Sequence, residues 1–111
     1  MKEYMFLFRQ PNFDYGKASP EKMQALAKRW KEWAGAIEAR GKLASHGPRL
    51  SLEGKVLRSG GVTDGPFVET KELLGSFIIV KAGSLEEAAE LARGGPALDE
   101  GGSVEIRPIV G

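Results

Sequence analysis

His46 is the single histidine of the chain. Its side chain alone has an ordinary pKa near neutral pH, which makes it the natural group to move a proton. Asp64 stands before Gly65-Pro66, in a segment that must turn sharply. An aspartate there can serve as acid or base, or can spend its oxygens on the N–H groups of its own turn. Arg9 and Arg107 sit in or beside runs otherwise built for burial. An arginine so placed needs an anionic partner, and a bound small molecule can be that partner. Proton transfer on a small anion is the chemistry these residues could do. Asp64 and His46 would be catalytic, and Arg9 and Arg107 would hold the ligand. The same residues without chemistry would make a small-molecule-binding or regulatory module.

Other chemistries are excluded more firmly. There is no cysteine, so no disulfide, thiolate nucleophile, thiolate zinc site or iron–sulfur cluster. With one histidine a metal site would need mainly carboxylates, and neither metal nor organic cofactor is expected. No phosphate-binding glycine loop, nucleophile elbow or His-Glu-x-x-His pair occurs. Ser45 and His46 are consecutive on a strand-like run, where neighbouring side chains point to opposite faces, so they are no nucleophile–base pair. Sixteen Lys+Arg against 15 Asp+Glu leave a formal charge of +1, too little to hold a nucleic-acid backbone. Lys28, Arg29 and Lys31 share their helix with Glu21, Glu32 and Glu38 and read as a solvated face. The apolar run Met5 to Phe8 is too short for a leader core or a membrane span, so a cytoplasmic protein is expected.

These residues depend on a small set of elements. At 111 residues, 41% hydrophobic and 28% charged, the chain suits one globular domain over residues 1–111. Tyr4 to Arg9 reads as a strand, with Tyr4, Phe6 and Phe8 on one face and Met5 and Leu7 on the other. Gln10 to Ala18 has loop composition. Ser19-Pro20-Glu21 opens a helix with a cap, a first-position proline and a favourable charge. Met23, Leu26, Ala27, Trp30, Trp33, Ala34 and Ile37 follow at helical spacing as its core stripe, and Gly41 ends it. Lys42 to His46 suits a strand stopped by Gly47-Pro48, Leu50 to Leu57 a hairpin centred on Glu53-Gly54, and Thr70 to Leu74 one helical turn. Ser76 to Lys81 is the clearest strand. Ser84-Leu85-Glu86-Glu87 is a capping box opening a helix that Gly94-Gly95-Pro96 stops, and Ser103 to Val110 is the last strand.

That order predicts an α+β fold: a ferredoxin-like antiparallel sheet with two helices on one face. The first strand and the strand at Phe77–Val80 are nevertheless apolar on both faces. A bare apolar face of that extent marks an interface, and the expected repair is a homodimer packed sheet to sheet as an α+β barrel. If Val104 and Ile106 face the helices, Glu105 and Arg107 face the barrel side.

The segment Val62-Thr63-Asp64-Gly65-Pro66-Phe67-Val68-Glu69-Thr70-Lys71-Glu72-Leu73-Leu74-Gly75-Ser76-Phe77 resembles the YCII-related family, in particular its DGPF branch. The Lys2–Arg9 run, Ser19-Pro20-Glu21, Ser84-Leu85-Glu86-Glu87-Ala88 and Val104-Glu105-Ile106-Arg107-Pro108 extend the resemblance over nearly the whole chain. It implies a ferredoxin-like protomer forming a dimeric α+β barrel, and adds Phe67 to the ligand-contacting candidates. Some members of that branch are encoded beside extracytoplasmic-function sigma factors, and a few relatives act on chlorinated aromatic breakdown products. Shorter relatives are thought to use a His–Asp pair with the histidine on the first helix. Glu21 to Arg40 has no histidine here, which leaves His46 on the following strand.

Overall fold

The aromatic and aliphatic residues at the start of the chain make strand β1 (Lys2–Pro11), the centre of the protein. A computed structural model describes residues 1–11, 19–50, 54–64, 72–99 and 101–111. After β1 come helix α1 (Pro20–Ala39), β2 (Leu43–Arg49), β3 (Lys55–Arg58), β4 (Gly61–Asp64), β5 (Glu72–Ala82), α2 (Leu85–Ala92), α3 (Pro96–Asp99) and β6 (Ser103–Pro108). Four strands form an antiparallel sheet in the order β2-β5-β1-β6. β1 and β2 run parallel with β5 between them, which is the split βαβ arrangement of a ferredoxin-like fold.

Register follows the apolar pattern. Tyr4, Phe6 and Phe8 stand opposite Val80, Ile78 and Ser76 on one side, and Pro108, Ile106 and Val104 on the other. Tyr4, Phe6, Phe8, Ile78, Val80 and Ala82 are buried with Ile37 of α1, Ala88, Leu91 and Ala92 of α2, and Ala97 of α3. The helices therefore cover one face of the sheet. Phe8 packs edge-on against Trp30 and Trp33, while Phe6 stacks on Trp33. Such ring pairs add roughly 0.5–1.5 kcal/mol each beyond the area they bury. The Trp33 indole donates to the Leu91 carbonyl at 3.2 Å, so its one polar atom is satisfied inside the apolar layer.

The helix signals act as expected. Ser19 accepts from the Lys22 N–H at 3.1 Å with Pro20 behind it, and Gly41 takes a left-handed φ of 72°. At α2 the Ser84 hydroxyl accepts from the Glu87 N–H, and the Glu87 carboxylate accepts from the Gly83 N–H. Lys42, just before β2, donates to Glu87 and ties the two elements together.

Four expectations are corrected. The hairpin lies at β3–β4, where Arg58 pairs with Gly61 across a Ser59-Gly60 turn; Glu53 is outside the described residues. Glu72 to Leu74 belong to β5 rather than to a helical turn, since β1 offers them a ladder as far as Pro11; Thr70 and Lys71 lie outside the described residues. β2 runs through Gly47-Pro48 instead of stopping. His46 faces Ile78 and Arg49 faces Ser76, so β2 carries one extra residue there, a bulge at the sheet edge where a proline lacking its N–H is tolerated. Finally Gln10 and Pro11, expected in a loop, pair with Leu73 and Glu72 and belong to β1, whereas Gly94-Gly95-Pro96 follows the end of α2 as expected and Pro96 then starts the additional helix α3, for which its fixed φ is suited.

Candidate functional site

Val104 and Ile106 pack against the core, so the alternate residues of β6 face away from the helices. Glu105 lies opposite Leu7 and Arg107 opposite Met5, with Arg9 one step further on the same face of β1. Glu105 there accepts from two arginines at once. Its Oε1 receives the Arg9 Nε at 3.3 Å and its Oε2 the Arg107 Nη1 at 3.1 Å. The Arg107 and Arg9 guanidiniums hold its carboxyl below the ordinary glutamate range. Two guanidiniums over one carboxylate leave a net positive group. It is also reachable, since the Arg107 side chain is 69% exposed. Beside it on the same face lie Met5, Leu7, Phe77 and Ile79, all half-buried.

The other expected residues do not join this group. His46 stands opposite Ile78 and so belongs to the helix side of the edge strand β2. Its Nε2 lies 3.6 Å from a carboxylate oxygen of Glu38 on α1, and both side chains are well exposed. The expected convergence of His46 with an arginine is thus absent: a register shift between Leu43 and Ser45, together with strand parity, puts His46 and Arg107 on opposite faces of the sheet. Asp64 ends β4, with its backbone opposite Lys55 in the separate two-stranded sheet. Phe67 and the rest of the Gly65-Pro66-Phe67 segment lie outside the described residues.

Chemically, the Arg9–Glu105–Arg107 group is suited to binding rather than to proton transfer. A carboxylate kept ionised by two cations is a weaker base than a free one. Guanidiniums are permanent cations with several donors each, and only one nitrogen of each is spent on Glu105. Glu105 is the member that the residue types alone did not mark out. Alternation along β6 places it on the right face, but its role depends on the β1–β6 register. Among the described residues no group of three or more His, Asp or Glu is placed to hold a metal ion, and no helix is long and apolar enough to cross a membrane.

A ferredoxin-like sheet, covered by helices on one face and carrying paired arginines on the other, defines the class of protein. A family model described as the YCII-related domain matches residues 4–111, and the chain belongs to that family. It is also similar to an uncharacterised protein of Rhizobium meliloti (strain 1021), with 47% identity over 49 residues. That match covers 43% of this chain and 40% of the relative, so the chain spans well under half of the curated relative it matches.

Proposed function

We propose that this YCII-related protein is a non-catalytic module that binds a small anionic molecule at Arg9 and Arg107. The observation that carries the reading is the convergence of both guanidiniums on one carboxylate, beside an apolar strip of Met5, Leu7, Phe77 and Ile79. A proton-transfer enzyme pairing His46 with an arginine is disfavoured, because a small substrate cannot touch both faces of one sheet. Within the family, Asp64-Gly65-Pro66-Phe67 supports placement in the DGPF branch. The working unit is a homodimer in which a second copy faces the apolar strip and closes a cavity over it, with the arginines on the β6 side and room for a ligand between the sheets, for half-buried aliphatic and aromatic side chains gathered on an open face favour such cover.

Benzoate tests the anion site, with neutral benzamide as its control. Ligand at 100 times its Kd stabilises the native state by roughly 2.7 kcal/mol, readily seen as a rise in thermal midpoint. Benzoate should give this rise, benzamide should not, and Arg107→Ala should abolish it. Equal shifts with both compounds, or an undiminished benzoate shift in Arg107→Ala, overturn the reading. For the dimer, light scattering should give about twice the 12.0 kDa chain mass, and Leu7→Glu should return it to the monomer value.

A further inference from the structure

We infer that Glu105 is a built-in occupant of the anion site, and that an incoming carboxylate binds by displacing it. The inference rests on the anion-binding reading above and specifies what a ligand must do there. The Glu105 carboxylate bridges guanidiniums from two strands, one oxygen to Arg9 of β1 and the other to Arg107 of β6. That is the geometry a bound carboxylate would adopt between the same two arginines. The bridging group is only partly covered: the side chains of Arg9 and Glu105 are 39% and 37% exposed. A solute can therefore reach it, and Glu105 can swing out to water without stranding a buried charge.

Being tethered, Glu105 competes at a high effective concentration. A free carboxylate that merely replaces it gains little. A ligand gains when its carboxylate carries an apolar body that also settles on Leu7 and Met5, the residues directly opposite Glu105 and Arg107. Glu105 thus rejects simple anions and admits amphipathic ones. The rival role, in which Glu105 aligns the guanidiniums for the ligand, predicts the opposite sign on its removal.

Calorimetric titration of benzoate into the full chain, Glu105→Gln and Glu105→Ala separates them. Displacement predicts at least a tenfold lower Kd in both variants, and a gain for acetate by the same factor as for benzoate. Arg107→Ala placed on Glu105→Gln should lose the gain. Unchanged or weaker benzoate binding in the Glu105 variants, with the parent protein binding normally, overturns the inference and leaves the anion site standing. No binding by parent or variants removes the anion site itself, and the inference with it. Should the variants fold poorly, the unaltered protein still decides: the carbon-13 signal of the Glu105 carboxyl should move toward that of a free glutamate when benzoate binds. A signal that stays in place while benzoate binds refutes displacement.

Discussion

Gly47→Ala offers a sharp test of the β2–β5 pairing. A Cβ on Gly47 would lie 2.6 Å from the Phe77 carbonyl carbon and 2.8 Å from its Cδ2, and nearer still to the carbonyl oxygen. The obstruction is mostly backbone, so no rotamer change relieves it. Restoring ordinary contact requires β2 to retreat by about 1 Å or more from a strand packed at crystal-like density. Overpacking of this kind costs roughly 1–3 kcal/mol. The retreat also loosens ladder bonds worth about 1 kcal/mol each, in an edge strand whose sheet partner among the described residues is β5 alone. A loss of about 3 kcal/mol is expected, a large part of the 5–15 kcal/mol typical of whole domains. Urea titration followed by tryptophan fluorescence would measure it, with Gly35→Ala as control. Gly35 lies in exposed helix with nothing near its missing Cβ, so alanine there should gain about 0.5–1 kcal/mol. If Gly47→Ala falls within 0.5 kcal/mol of the parent, the close approach of β2 to Phe77 is wrong.

Further expectations follow from the core, the caps and the charges. Trp33→Phe removes the indole bond to Leu91 and should cost about 1–2 kcal/mol, while Trp33→Ala, which also empties the space beside Phe6, Phe8 and Trp30, should cost about 3–5 kcal/mol by the same titration. Ser84→Ala deletes the α2 cap and should cost about 1 kcal/mol. Acid stability reports on Glu87, whose carboxyl the Lys42 ammonium and the Gly83 N–H hold below its ordinary value of 4.5. A carboxyl more acidic folded than unfolded adds stability above 4.5 and surrenders it as the pH falls through the lower folded value. Denaturation midpoints should therefore hold level well above 4.5 and drop as the pH falls from there through the folded value, less steeply in Lys42→Met; equal slopes in the two proteins would refute the pairing.

The sheet and its two main helices were legible because each element carries more than one consistent signal. At α1 the Ser19-Pro20 start, the Met23–Ile37 stripe and Gly41 all agree, and at α2 the capping box coincides with the alanine-rich stripe. What escaped lay where tertiary partners overrule local composition. Gly47-Pro48 has the composition of a stop, yet an edge position and a bulge allow the chain to stay paired. Ser59-Gly60 competes with Glu53-Gly54 as a hairpin turn, and the Lys55–Asp64 ladder decides between them. The site was half legible. Arg9 and Arg107 were marked by their places in apolar strands, and Glu105 by alternation along β6. His46 was misplaced because parity along β2 is set by its pairing with β5, which composition does not reveal.

The position of β1 bears on how the protein is made. Tyr4, Phe6 and Phe8 leave the ribosome well before both their strand neighbours, β5 at Glu72–Ala82 and β6 at Ser103–Pro108. At about 5–20 residues per second this strand waits several seconds to tens of seconds for its last partner. Until β5 emerges it exposes two unpaired edges and aromatic side chains, and until β6 emerges one open edge, the kind of segment that chaperones capture and that aggregates when synthesis outruns them. The burden of keeping this chain soluble thus falls on the nascent chain rather than on the finished fold. Ribosome-bound fragments ending before β6 should remain protease-sensitive in β1, and the 111-residue chain held clear of the ribosome by an added linker should not.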